Sequence, residues 1–435
     1  MRILLLSHHY TPETGPPQLR WDGLARELTS AGHGLDVIAP HPHYPIGSLL
    51  DGYEPPDRLS EPQTGSHGES IYRVSFRETK GDLGSVMINQ LVVAFFTMVA
   101  VFRLRKQLQS DIIVATAPAM PTLVAGWFAK LLLGRPLVME IRDAWPDLVT
   151  VSDHWDGARQ KPSLKKRIGL SVAPAGITWL QRRADHVITT TDTFAEILRE
   201  RGISNVTTVR NSWHEIENYE AKNPRPSDGT LRVVYVGTVG RAQGLVTAVE
   251  ALRIARAQGA DIEMRVIGTG AGKQAVTALA EAEDLPIIVR GAQARSEIHH
   301  HYEWGDTFLV MLRDWEPLRW TVPSKLYEAM SLGMHVSGSI AGEAADIIAE
   351  TECGFVVPPE DPDALATQWI RLSKDLPPRP DQALSAAWLK ENASEPLAAR
   401  IYLEVLAGML LPAASQQQAT LRSVSRAGVP TARPR

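Results

Sequence analysis

The sequence predicts two doubly wound α/β domains facing across a cleft, and three observations carry that expectation. Short runs rich in Ile, Leu and Val alternate with helical patterns along most of the 435 residues. Such alternation marks a largely parallel sheet covered by helices on both faces. The alternation comes as two series, separated by Glu215–Gly229, a stretch rich in Asn, Glu, Pro and Lys with little apolar content. The length itself suits two or three domains of roughly 100–200 residues each. The expected division is a Rossmann-like first domain at 1–212, a linker at 213–230 and a Rossmann-like second domain at 231–385. Terminal helices at 386–410 cross back to the first domain, and 411–435 is a disordered tail.

In the first series, Arg2–Ser7 reads as a buried strand because Ile and Leu run through it without a break. A helix with apolar Leu24 and Leu28 follows and stops at Ala31-Gly32. Strands are then expected at Leu35–Ala39, Ile71–Ser75, Asp111–Thr116, Leu137–Ile141 and His186–Thr190. Leu91–Phe102 is the most apolar run. Its 12 residues fall short of the about 20 that a membrane span needs, so a buried core helix is expected rather than one lying in a membrane plane. The second series has strands at Leu231–Gly237, Ile262–Ile267, Ile287–Arg290, Thr307–Leu312, His335–Gly338 and Gly354–Val357. Ala383–Ala407 reads as the helical pair that crosses back. The tail has four Arg, no acid and three successive Gln, too little to build a core. In sheets of this kind ligands sit beyond the carboxyl ends of strands. That singles out the loops His8–Gln18, Ala117–Pro121, Arg142–Asp147 and Thr191–Asp192.

Hydrophobic residues make up 44% and charged residues 22%, an ordinary globular balance. A net charge of −4 implies no general affinity for nucleic acid. The single cysteine, Cys353, excludes an intramolecular disulfide and a cysteine zinc cluster, and fits a reducing cytoplasm. The first residues lack the pattern of a signal peptide. Gly157–Arg183 holds seven Lys or Arg and no acid, with Ile168, Trp179 and Leu180 among the interleaved apolar residues. It fits a solvated basic face, or a segment resting on anionic lipid at the inner membrane face.

The chemistry concentrates in Thr321–Ala345. Pro323 and Ser324 open a helix whose free first-turn amides and dipole form an anion site. Lys325 and Glu328, three apart, share one face near that end. Gly333 stops the helix. The stretch offers phosphate-binding amides, a cation, and a carboxylate that can accept two hydroxyl hydrogen bonds from a ribose diol. Taken alone, it fits equally an ordinary loop-to-helix junction with a solvated Lys/Glu pair. His299-His300-His301 are consecutive, so a helix points them apart, and no metal site is expected.

Four stretches in order give the sequence a resemblance. These are Ala31-Gly32-His33 with Pro40–Gly47 and Gly52-Tyr53; Glu140–Asp147; Gly237–Gly244; and Pro323–Glu328 with Gly342–Ala345. Together they resemble a GT-B fold glycosyltransferase of family 4, of the subgroup found in bacterial envelope and O-antigen synthesis. The resemblance runs from about Met1 to about Gly408. It implies retaining, metal-independent sugar transfer from a nucleoside-diphosphate sugar, UDP or GDP. The acceptor would be a glycan, a lipid-linked sugar or a small molecule.

The resemblance also implies site residues. Glu328 would hold the nucleotide ribose. The family's partner Glu falls at Trp320, a departure that bears on the donor sugar. The usual Arg and Lys of the loop after the first strand of the second domain fall at Thr238 and Gln243. Arg241 in that loop, with Lys325 or Arg313, would then neutralise the diphosphate as negative charge grows on it. Arg142 would face the donor from the first domain, oriented by Asp143 through a charged hydrogen bond. Gly15 would let backbone amides approach the sugar diphosphate, or is a plain turn glycine, and Gly240 belongs to the donor-binding set. Arg290, Pro323, Ser324 and Leu326 complete the donor-binding set, although strand-end Arg290 and Arg313 fit surface ion pairs equally well. Closure of the domains would carry Arg142 toward Lys325. The same chemistry on a soluble small molecule, and an inactive binding subunit of this fold, remain open alternatives.

Overall fold

The computed structural model describes residues 1–411 except 14, 80, 145, 152–173, 214–228, 377–379 and 381. The expected linker over 213–230 and tail over 411–435 therefore lie almost wholly outside the described residues, as does most of the basic stretch 157–183.

The first sheet has eight strands in the order β3-β4-β2-β1-β5-β6-β7-β8. They are β1 (Arg2–Ser7), β2 (Gly34–Pro40), β3 (Gln63–Thr64), β4 (Ser70–Val74), β5 (Ile112–Thr116), β6 (Leu137–Ile141), β7 (His186–Thr189) and β8 (Val206–Thr208). All pair in parallel except the two-residue β3. The second sheet has six parallel strands in the order β11-β10-β9-β12-β13-β14. They are β9 (Leu231–Val236), β10 (Ile262–Ile267), β11 (Ile287–Arg290), β12 (Thr307–Met311), β13 (His335–Ser339) and β14 (Gly354–Val357). In each sheet the winding reverses beside the first strand, at β1/β5 and at β9/β12. Those switch points are where a doubly wound sheet opens a crevice for ligands.

Helices cover both faces, as the unbroken apolar strands require. Side chains along β1 alternate between two cores. Leu4 and Leu6 pack toward α2 (Leu83–Leu104) and α3 (Met120–Leu133). Ile3 and Leu5 pack toward Trp21, Leu24 and Leu28 of α1 (Pro16–Ser30). That second core also holds Ala398, Tyr402 and Leu406 from the helix Glu395–Leu410, which returns to the first domain. The preceding helix Gln382–Asn392 keeps Trp388 and Leu389 in the second-domain core, so only one of the two expected helices crosses back. The anchor of the returning helix is Glu140, wholly buried on β6. Glu140 accepts from Arg20 Nε at 2.9 Å, Trp21 Nε1 at 3.0 Å, Thr116 Oγ1 at 2.6 Å and Tyr402 O–H at 2.9 Å. Burial alone would raise this carboxyl; Arg20, Arg142 and the hydrogen bonds overcome it and hold the pKa down to about 2.

The domains also touch through side chains. Glu343 accepts from Arg210 and from the backbone N–H of Thr193 at 2.9 Å. Thr191 Oγ1 donates to Trp320 O at 2.6 Å. The Trp320 ring stacks on Phe194, centroids 6.2 Å apart and planes nearly parallel at 8°. The residue standing where the family has a donor-binding Glu is therefore packed against the first domain.

Three further sequence expectations need correction. The helix containing Leu91–Phe102 runs over 22 residues, and only one of its faces is buried. The strands β3 and β8 were not expected. Gln63-Thr64 has no apolar residue, and Val206–Thr208 is too short to show a period.

Candidate active site

The carboxyl ends of the two sheets enclose a cavity of about 380 Å³. Pro118 follows β5, Arg142 and Asp143 follow β6, and Asn211 lies just past β8; these come from the first domain. Gly237, Thr238 and Gln243 follow β9, and Leu309–Leu312 belong to β12 and its end. Thr321–Lys325 close the floor. The lining thus joins the two switch points.

The floor is the start of a helix, Ser324–Ser331. Pro323 caps it in extended backbone, φ −62° and ψ 129°, and its carbonyl accepts from Leu326 N–H at 2.9 Å. Gly333, at φ 60°, ends it in the left-handed region that favours glycine. Opposite, the turn after β9 stays thin because glycines meet there. Gly268 has φ 153°, and a Cβ on it would lie 1.8 Å from Gly237 O. Tyr235 O–H donates to Thr238 O at 2.6 Å, and Gly240 N–H donates to Gln243 Oε1 at 3.1 Å, which fixes the loop.

Arg142 and Lys325 bring two cations into one cavity from opposite domains. Arg142 Nε and Nη2 both donate to Ala117 O, at 2.9 and 2.6 Å. This corrects the expected Arg142–Asp143 hydrogen bond: a backbone carbonyl orients the guanidinium, and Asp143 acts on it through space. Burial raises the Asp143 carboxyl above its usual range, against the pull of Arg142. Lys325 Nζ donates to Glu328 Oε2, and Tyr302 O–H donates to Glu328 Oε1 at 2.5 Å. Both oxygens of the expected ribose ligand are therefore held in place.

The other expected residues are dispersed. Leu326 is a correction: its side chain is fully buried in the second-domain core, so it has only backbone to offer a ligand. Leu326→Ala is expected to cost about 2–5 kcal/mol of stability, as for other buried leucines, measured by denaturant unfolding. Arg313 pairs with Glu360 at 3.5 Å and lies 5.6 Å over the Trp315 ring. Arg241 and Arg290 are exposed and are not among the residues lining the cavity. Gly240 and Gly15 also lie outside the lining. Gly15 precedes α1 in extended backbone, where a Cβ would come within 3.2 Å of the Tyr44 ring. His301 is buried and bonded to Gln293 at 2.6 Å, while His300 is exposed.

Two features escaped the sequence reading. Asn211 lines the cavity but follows β8, a strand too short to register. In the loop after β1, Glu13 binds His9 Nδ1 at 3.1 Å and the backbone N–H groups of His43 and Tyr44 at 2.8 and 3.0 Å. Burial opposes its ionisation, but these partners hold Glu13 below the usual carboxylate range. The histidines, at 8–9 and 41–43, are far apart in sequence and meet only because β1 and β2 are neighbours.

Two parallel-sheet domains with facing switch points are the GT-B fold. Solved structures agree in fold. Sucrose-phosphate synthase from Thermosynechococcus elongatus superposes with a TM-score of 0.62 at 17% identity, covering 98% of this chain and 100% of that one. HepE from Anabaena, in complex with UDP and glucose, gives 0.62 at 17% identity over 93% and 99%. Residues 17–212 match the family model described as glycosyl transferase 4-like domain. Residues 230–375 match the model described as glycosyl transferases group 1. The two matches take in most of the chain, which belongs to the GT-B glycosyltransferases of the family 4 type. The amylovoran biosynthesis glycosyltransferase AmsK of Erwinia amylovora is 32% identical over 148 residues, 33% of this chain and 36% of that protein. The matched stretches span less than half the length of the curated relatives.

Proposed function

We propose that the chain is a retaining, metal-independent glycosyltransferase that takes a sugar from a UDP- or GDP-sugar and passes it to an envelope or lipid-linked glycan. The observation that carries this is the pair Arg142 and Lys325, set by opposite domains into one cavity at the facing switch points. A diphosphate there meets the first-turn amides at Ser324 and Lys325 and the Lys325 ammonium. Glu328, released from Lys325 by the incoming phosphate, is placed to accept from the ribose diol. As the glycosidic bond breaks, Arg142 and Lys325 offset the charge gathering on the leaving phosphate. A phosphate oxygen takes the acceptor proton on the face from which the diphosphate departs, so no protein nucleophile is required. The envelope acceptor draws support from AmsK, named for amylovoran biosynthesis. The chain would work at the cytoplasmic membrane face as a peripheral protein.

Calorimetry with UDP and GDP tests the binding step. One of the two should bind, and Glu328→Ala should weaken it at least about tenfold, the worth of one hydrogen bond to a charged group. Binding of neither at millimolar concentration would leave an inactive subunit of the same fold. Transfer should persist in EDTA, and proton NMR of the product should show the donor's anomeric configuration retained. Loss of transfer in EDTA, or an inverted product, would overturn the mechanism while leaving the donor site standing.

A further inference from the structure

We infer that Asp143, with Asn211 on the same wall of the cavity, reads the donor sugar through its hydroxyls and makes the site selective for a neutral hexose over a uronic acid. The inference rests on the donor-site reading and deepens it to the class of sugar. Acids elsewhere around the cleft are already occupied. Glu140 accepts from four side chains, Glu328 from Lys325 and Tyr302 O–H, and Glu343 from Arg210 and Thr193 N–H. Asp143 is the one acid among the described residues that line the cavity. Among the described residues its carboxylate accepts no hydrogen bond. Its neighbour Arg142 directs Nε and Nη2 to Ala117 O and acts on Asp143 by charge alone. A carboxylate withdrawn from water is ordinarily hydrogen-bonded. One that faces a cavity without a donor is placed to take donors from whatever fills it, and it can accept two neighbouring hydroxyls at once.

Asn211 supplies the complementary half. Its Oδ1 takes a long contact, 3.5 Å from Arg20 Nη1, and among the described residues its amide N–H groups have no partner. An acceptor pair and a donor pair thus share the first-domain wall, where a sugar extending from a diphosphate on the Ser324 and Lys325 amides would lie. The second domain brings no carboxylate to the lining among the described residues, and Trp320, next to Thr321 of the floor, is turned onto Phe194. Charge then selects the sugar. The diphosphate matches Arg142 and Lys325, and no third cation lines the cavity among the described residues. A sugar carboxylate would therefore meet Asp143 as a like charge away from bulk water, whereas hydroxyls donate to it.

The test is calorimetry of the full chain with the nucleotide it binds, a neutral hexose donor and a uronic acid donor. The sets are UDP, UDP-glucose and UDP-glucuronic acid, or GDP, GDP-mannose and GDP-mannuronic acid. Wild type should bind the hexose donor at least about tenfold more tightly than the uronic acid donor, the worth of one hydrogen bond to a charged group. In Asp143→Asn that preference should fall to about twofold or less, through weaker binding of the hexose donor. Affinity for the bare nucleotide should stay within about twofold of wild type, because Ala117 O still holds Arg142, and this also reports an intact fold. Asn211→Ala should weaken the hexose donor about fivefold and spare the nucleotide. A wild type without the preference would overturn the inference, as would a preference that survives in Asp143→Asn. Equal loss of nucleotide and hexose donor in Asp143→Asn would also overturn it, by making Asp143 a support for Arg142. Binding of neither nucleotide by wild type would end the donor-site reading, and this inference with it.

Discussion

Lys325→Ala is expected to lower kcat/KM for sugar transfer by on the order of 10²–10³, the range found when one preorganised donor to developing negative charge is lost. Arg142→Ala should act to a similar degree from the other domain. The cause is shared. Both cations line the cavity, and each is held before a donor arrives, Arg142 by Ala117 O and Lys325 by Glu328, a pairing the bound phosphate then replaces. Neither needs to reorganise much as the phosphate charge grows. The Lys325 variant should also lose nucleotide affinity, since the ammonium meets the diphosphate in the ground state. Initial rates and calorimetry on the same preparations separate the two effects. Rates within about twofold of wild type would remove these residues from the reaction, because 0.4 kcal/mol or so is below the worth of one such contact.

Glu140→Ala is the largest expected change in stability, about 3–5 kcal/mol, because it leaves Arg20 buried beside a missing charge. Four side chains converge on that carboxylate, from α1, β5 and the helix Glu395–Leu410. Its loss should loosen the returning helix before the rest, read as early hydrogen exchange along 395–410. The same group sets an acid limit. In the unfolded chain it takes up a proton near the ordinary value of 4.5, whereas in the fold it keeps its charge to about 2. Its contribution is therefore full above about pH 4.5 and fades as pH falls toward 2. Urea unfolding of wild type and Glu140→Gln should converge over that interval. A gap that stays constant with pH would show that the packing, rather than the charge, carries the effect.

Much of the fold was legible because parallel strands buried on both faces must be continuous in apolar residues, as Leu4–Leu6 and Ile112–Val114 are. Helices that expose one face read less well. The apolar run of α2 carries no mark of which stripe is covered, since both stripes are apolar; only packing against β2 and β4 decides it. The floor of the site was legible from Pro323, Ser324 and Lys325, where capping chemistry and a cation coincide in a few residues. The wall was less so. Asn211 and the Glu13 cluster depend on which strands become neighbours, which local sequence does not encode. Leu326 illustrates the limit of carrying over a motif as a block. It sits between two polar positions of the donor loop, but helical spacing turns its side chain into the core. Trp320 shows the reverse, a departure from the family pattern that has a packing reason in the contact with Phe194.

The most direct test of the donor site is a crystal structure of the chain with whichever of UDP and GDP it binds. The diphosphate should lie on the first-turn amides at Ser324 and Lys325, within hydrogen-bond reach of Lys325 Nζ, with Arg142 on the facing wall and Glu328 on the ribose. A nucleotide bound elsewhere, or a diphosphate turned away from the Pro323–Glu328 turn, would contradict the assignment.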